Sequence, residues 1–570
     1  MSKLFSFLSK YQKLLLLLGL IPVLFYCYVV LRFSSDVPFY DDFFWGFDYL
    51  ELYLQKNTFF EKVKMLFMQH NQHRLIYFRS VLLSLFYLEG TLNIKHLILA
   101  GNLSIFGVLI TYWLVFRRMA ISLVYFLPVP FLLLPYQFMF NSIVSYGVPN
   151  MSIIFLATLT LYFTCFAAPK NIYLVWIVGF LATFSNGNGI VVLLIATFLL
   201  FLQGRTRQAI YTAVIYAASM AVYFSGFHMK SGEATFNANT FLYVFRFLGA
   251  AFFTNINTVS VVLSALAILA IVVYFLYFFL KFIQNKYRPI NDKVILFCLG
   301  IFMFLGCTAL MTAIVRAIHK VDIPDWYKNY SILFVVSIYA FLLAANKKQW
   351  LQQAFLGVFI IYGAGIWYKS AEKNLPSYQY LKSTFDADVA NYHKNKYWSF
   401  LTAQEGIHFY ERHNQQTAQF ISKGWYQLPQ SPLLNQKFDE SKCLKTNFRI
   451  EDFPERFAKI IQYDPVTLDA DSRGYKERFG FIINDSTKRI YFFGIVPTFN
   501  GIRGIIKYKS LFYDKAEFSV NYNYFGNAIP SGNYRVGMVF IDAQKQAIWR
   551  ISDQTISVNN FESDNNVNKE

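Results

Sequence analysis

Along the first 370 residues, apolar side chains come in long unbroken runs, and polar residues collect in the short gaps between them. Runs approaching or passing ~18 residues match the ~30 Å hydrocarbon layer that a helix must cross. The pattern predicts about eleven spans. They lie at 13–31, 95–116, 119–136, 151–167, 171–184, 187–203, 208–226, 257–280, 294–313, 329–345 and 351–368. The first run is too long for a cleaved signal peptide and no small-residue cleavage site follows it, so it reads as an uncleaved span. After residue 370 the pattern changes. Helical periodicity covers 374–424. From about 475, short runs rich in aromatic and β-branched residues follow at 478–483, 489–496, 502–508, 516–524 and 534–541, with Asn, Asp and Gly between them. These predict a small antiparallel sheet or sandwich. The Asn-rich stretch 559–570 reads as a frayed end. The expected fold is therefore a polytopic α-helical membrane protein with a C-terminal extracytoplasmic α+β domain. Residues 1–370 would form the membrane domain, with a first external loop over 32–94, and 371–570 the second domain.

Composition agrees: hydrophobic residues make up 56% and charged residues 15% of the 570, against about 25% charged in soluble proteins. The net charge of +19 would suggest a nucleic-acid partner only if it were clustered. Instead, threading the spans alternately puts Lys3, Lys10, Lys13, Arg117, Arg118, Lys170, Arg205, Arg207, Lys281, Lys286, Arg288, Lys293, Lys347 and Lys348 on one side, with Asp292 their only acid. Cationic short loops stay cytoplasmic, so the charge is a topology signal and no nucleic acid is implied. The N-terminus is expected inside, with 32–94, the loop around Arg316 and everything after 370 outside. Cys27, Cys165, Cys298 and Cys307 fall within spans and Cys443 stands alone in the tail, which implies no disulfide framework.

The first external loop holds most of the candidate chemistry. Asp41 and Asp42 stand just beyond the first span, at headgroup depth, where a carboxylate could take a proton from an incoming hydroxyl. The alternative is an N-cap pair satisfying free backbone N–H groups. Phe43, Phe44, Phe47, Leu50 and Leu54 follow at helical spacing, with Asp41, Asp48 and Glu51 turned elsewhere, so 41–55 is expected to lie in the interface with its rings in lipid. Next come Gln69, His70, Asn71, Gln72, His73 and Arg74, then Arg79. His70 and His73 share a face if this stretch is helical. Imidazole and guanidinium donors suit a phosphate leaving group. A headgroup-anchoring belt is the structural alternative. Two imidazoles with Asp41 or Asp42 would also make three ligands for a divalent metal.

Two later motifs interrupt the apolar pattern. Ser185, Asn186, Gly187, Asn188 and Gly189 break a run into two short halves, as a tight turn or as a lining of a substrate cavity. Arg316 follows the ninth span, and His319, Lys320, Asp322, Asp325, Trp326, Tyr327 and Lys328 lead into the tenth. Arg316 and Lys328 either snorkel to headgroups or clamp a lipid phosphate.

The acidic pair, the His-Asn-Gln-His-Arg block, the Ser-Asn-Gly-Asn-Gly break and the late Arg together resemble bacterial multi-pass glycosyltransferases of the GT-C superfamily. That superfamily includes protein O-mannosyltransferases and lipid A aminoarabinose transferases. The likeness covers about 10–345 and is most specific over 36–79. It implies an inverting transfer from a polyprenyl-phosphate-sugar donor to a glycan, lipid or protein acceptor on the outer face of a bacterial plasma membrane. Asp41 or Asp42 would be the base and Arg316 a phosphate contact. His70, Asn71, His73, Arg74, Arg79, Asn186, Asn188 and Lys328 complete the expected binding set. The chain departs from the family where Gln72 stands in place of a common Glu. It departs again where Trp326, Tyr327, Lys328, Asn329 and Tyr330 replace a Ser-Arg-Tyr block. The tail from 371 carries no matching motif.

Three other classes stand beside this one. A glycan polymerase or ligase would rely on basic residues in a large mid-chain or late loop. A transporter should carry charge deep in its spans, which here are nearly charge-free. An assembly protein would tolerate loss of both acids.

Overall fold

Apolar runs without water to satisfy their backbone must form helices, and helices dominate the first 371 residues of the computed structural model. It describes residues 17–71, 73–228, 236–256, 258–316, 323–396, 398, 407–453, 458–463, 475–508, 510–514, 517–521, 529–542 and 544–558. The chain divides into two compact units. The first is Met1–Arg32, Tyr53–Ser84 and Leu97–Ala371; the second is Phe33–Leu52, Leu85–His96 and Glu372–Glu570. The stretch 32–94, expected as one external loop of the membrane domain, is thus shared between the two.

Among the described residues six helices are long and apolar enough to cross a membrane: Ile94–Arg118, Gly147–Phe166, Thr258–Gln284, Lys293–Arg316, Asp325–Ala345 and Gln349–Asn395. Each coincides with an expected span. The other five runs are helical but do not reach that standard. Leu20–Phe33 is only the regular helix of the first run, 119–136 is helical over Leu123–Leu133 alone, and Tyr173–Thr183 and Val192–Leu202 have 11 residues each. Thr206–Phe224 carries too many polar positions. Hydropathy alone does not separate a helix that crosses lipid from one buried among helices. Leu193, Ala196, Leu199 and Leu200 are fully buried by protein. Thr258–Gln284, by contrast, leaves Leu266, Leu269, Val273 and Leu276 more than half exposed, the surface a lipid-facing helix presents.

Short alternating runs build the second unit. Its five-stranded sheet runs in the order Leu444–Lys445, Ala547–Val558, Gly532–Asp542, Tyr475–Asn484, Ile490–Gly494. A three-stranded sheet of Glu517–Asn521, Ala458–Tyr463 and Phe448–Phe453 covers one face. Period-two alternation sends Ile482, Val536 and Met538 into the core shared with Ile461, Phe518 and Val520. The opposite set, Phe479, Phe481, Val539 and Trp549, packs on Ala387 and Ala390 of the long helix and on Leu433. Asn391 completes the edge strand as another strand would: its Nδ2 donates to the Phe492 carbonyl at 2.9 Å and its Oδ1 accepts from the Phe492 N–H at 2.8 Å.

The expected sandwich is present, but 502–508 is not one of its strands. Gly501–Tyr508 is a helix. Ile502, Ile505 and Ile506 recur at one helical turn, a period that outweighs the β-branched bias of the segment. The stretch 559–570 lies outside the described residues.

Candidate functional site

The acidic pair sits at a backbone irregularity in the second unit. Tyr40 holds a left-handed φ of 57°, and Asp42–Asp48 winds as a π-helix before the α-helix Tyr49–Leu54 begins. Both features concentrate at functional sites, because each costs energy that packing must offset. Asp42 is 2% exposed, and its Oδ2 accepts from the N–H of Phe39 at 2.8 Å, closing the turn behind it. Asp41 is half-buried at the head of the π-helix and its carboxylate does not cap it.

The rings of 41–55 are not turned to lipid. Phe43, Phe47 and Leu50 are buried inside the second unit. Phe43 stacks on His413, and Phe47 packs on Phe420 at 4.5 Å. The acids follow the same partner helix, Ile407–Ser422. Asp48 receives Arg412 and Gln416 at 2.6 Å each, and Glu51 receives Gln419. An amphipathic period cannot say whether lipid or protein covers it, and here protein does.

His70 and His73 lie across a two-residue antiparallel hairpin rather than on a helix face, with Asn71 turning it at φ 47°. Gln72 lies outside the described residues. The Asn71 amide meets His70 Nε2 at 3.3 Å. Arg74 donates to the carbonyls of Phe67, Tyr223 and Ser225. Arg79 donates to those of Leu66 and Met68 at the end of helix Phe59–Leu66. Both guanidinium groups therefore hold backbone in place. His73 differs from its neighbours in the block. Burial, with Arg316 nearby, pushes its imidazole down to about 4, so it is neutral at pH 7, and its Nδ1 is buried without a hydrogen-bond partner among the described residues.

The Ser-Asn-Gly-Asn-Gly break is a turn whose asparagines reach across the bundle. Gly189 is required there, since a Cβ would stand 1.8 Å from the Ala182 carbonyl oxygen. The Asn186 amide donates to Asn150 Oδ1 at 3.1 Å, the Asn150 amide to Asn141 Oδ1 at 3.0 Å, and the Asn141 amide to the Trp326 carbonyl at 2.9 Å. Asn188 donates to Thr308 Oγ1 and to the Tyr330 hydroxyl, at 3.1 Å each. This chain ties four separate elements of the first unit together. Its neighbours retain unused capacity: Asn188 Oδ1 and both amide atoms of Asn329, which is 3% exposed, have no partner among the described residues. Buried polar atoms are normally paired, so these three are exceptions within the first unit. Arg316, exposed at the end of helix Lys293–Arg316, stacks its guanidinium 5.4 Å over Tyr327. Lys328 is bound to Asp325 at 2.6 Å. His319, Lys320 and Asp322 lie outside the described residues.

The structure thus gathers Asn186, Asn188, Arg316 and Lys328 with His73 in the first unit and keeps Asp41 and Asp42 in the second. Among the described residues, no three His, Cys, Asp or Glu side chains come together as a metal site. Sequence reasoning gave no site role to Asn141, Asn150 and Thr308, nor to Asn329, which it noted only as part of a departure from the family pattern. Their signal was available as isolated amides and a hydroxyl at or within the ends of apolar runs. Comparison with family models, with curated proteins and with solved structures finds no match to this chain.

Proposed function

We propose that this membrane protein is an inverting glycosyltransferase, which moves a sugar from a polyprenyl-phosphate donor to a cell-envelope glycan, lipid or protein on the outer face of a bacterial plasma membrane. The observation that carries the reading is the asparagine-rich cluster beside Arg316. Amides and hydroxyls that pair with one another yet keep unsatisfied atoms suit sugar hydroxyls, and a guanidinium braced on Tyr327 suits a phosphate. The positive-inside pattern supports the outer face, and the nearly charge-free spans disfavour transport.

In this reading Asp41 takes the proton of the acceptor hydroxyl as its oxygen bonds to the anomeric carbon. The bond from that carbon to the phosphate oxygen breaks on the opposite side, and polyprenyl phosphate leaves with the electron pair. Phosphate is already a good leaving group, so Arg316 and the neutral imidazole of His73 contribute by offsetting charge on its oxygens. Asp42 is assigned to the turn, because its carboxylate already serves the Phe39 N–H. The test is sugar transfer in right-side-out or reconstituted vesicles by Asp41→Asn and Asp42→Asn single variants. Loss of a general base lowers the rate about 10²–10⁴-fold. Asp41→Asn should show that loss with donor binding unchanged, and full activity in both variants would sink the proposal.

A further inference from the structure

Helix Gly501–Tyr508 forms the connection of a two-stranded sheet, Pro497–Phe499 with Phe512–Asp514. The foot of this hairpin is braced: the Asn500 N–H donates to the Leu511 carbonyl and its Nδ2 to the Ser510 carbonyl, both at 2.9 Å. Ile502 is 58% and Ile506 75% exposed, one turn apart on the same face, and no other large apolar residue described in 372–570 is more exposed. Arg503 and Lys507 are exposed beside them. Single exposed apolar residues need no explanation, but an apolar stripe flanked by cations on one short helix has the chemistry of an interfacial anchor.

A second observation names the occupant. Phe512, at the base of the hairpin, packs edge-on against Phe33 at 6.1 Å, within the second unit. Phe33 is the last residue of the apolar helix Leu20–Phe33, whose final turn carries Arg32. The hairpin is therefore fastened to the point at which an apolar helix ends, which for a helix entering lipid is the bilayer surface. We propose that helix Gly501–Tyr508 is a foot on the membrane, seating Ile502 and Ile506 at the headgroup–acyl boundary with Arg503 and Lys507 against anionic headgroups. The inference is independent of the sugar-transfer reading.

The test uses the full chain in lipid nanodiscs, with Cys443→Ser to remove the tail thiol and Ile506→Cys carrying an environment-sensitive fluorophore. Ser486→Cys, in the exposed turn after Asn484, is the solvent control. The expected result is blue-shifted emission at 506 alone, quenched several-fold by lipids bearing a nitroxide near the headgroup. Quenching should be stronger with phosphatidylglycerol present than in phosphatidylcholine alone. Emission matching the Ser486→Cys control overturns the proposal, as does a blue shift without lipid quenching, which would mean a protein partner covers the helix. Equal quenching in the two lipid mixtures, or no change on Arg503→Glu with Lys507→Glu, overturns the role given to the cations.

Discussion

The ring of Phe43 lies flat on the imidazole of His413, with centroids 4.0 Å apart and planes 5° from parallel. This stack joins the π-helix that follows the acidic pair to helix Ile407–Ser422, residues more than 360 positions apart in the chain. Burial, with Arg412 beside it, pushes the His413 imidazole down to about 4. The unfolded chain therefore takes up a proton near pH 6.5 that the folded chain refuses, and the stability tied to His413 falls as pH drops from about 6.5 toward 4. Thermal unfolding across that window should lose this dependence in His413→Phe, which keeps the stacked ring. Phe43→Ala should cost roughly 3–5 kcal/mol at any pH.

Asp36 works in the opposite direction. Burial pushes its carboxyl up to about 7, although Oδ1 accepts the N–H of Ile94 at 2.6 Å. Here the folded chain holds the extra proton. Its contribution is full below about pH 4 and lost as pH rises toward 7, with a slope of up to about 1.4 kcal/mol per pH unit. Asp36→Asn keeps an acceptor for Ile94 and should flatten the stability profile between pH 4 and 7. An unchanged profile would place the titration elsewhere.

Arg74 and Arg316 should separate under mutation. Arg74→Ala leaves the carbonyls of Phe67, Tyr223 and Ser225 without their donor, at about 1–3 kcal/mol for the buried Tyr223 carbonyl and less for the two that water can reach. Arg316→Ala removes an exposed side chain and should change unfolding by less than about 0.5 kcal/mol. In a binding measurement with polyprenyl phosphate the order reverses, with Arg316→Ala the weaker binder. Weak binding by a well-folded Arg74→Ala would contradict this division.

Asn150 is the middle link of the asparagine chain. Asn150→Leu breaks its bonds to Asn186 and Asn141 together. A double-mutant cycle of Asn186→Ala with Asn141→Ala should show coupling of about 0.5–3 kcal/mol, although the two do not bond directly. Additive losses would mean that the links act separately.

The broad division of this chain was legible because apolar continuity and two-residue alternation are strong, local signals. Runs such as 294–313 and 534–541 carry them over their whole length. What failed was reading context from a period. The stripe Phe43, Phe47 and Leu50 has the same spacing whether lipid or helix Ile407–Ser422 covers it, and Val192–Leu202 is as apolar as a span because it is buried among helices. Ile502, Ile505 and Ile506 read as a strand by residue type and as a helix by spacing, and spacing prevails. The acidic pair and the asparagine break stood out as polar residues in apolar surroundings. Asn141, Asn150 and His413 did not, since their importance arises from partners distant in sequence.

The π-helix after Asp41 winds with about one more residue per turn than its α-helical continuation. Deleting Gly46, where an added Cβ would meet nothing within 4 Å, should let the ladder relax to ordinary winding. Asp41 and Asp42 would then swing by about 100° around the axis. The heading of the two carboxylates is thus encoded in how many residues separate them from Tyr49, not in which residues those are. A single-codon loss would turn both carboxylates away while leaving charge, hydropathy and every neighbouring side chain intact, a kind of lesion that no scan of substitutions would ever sample.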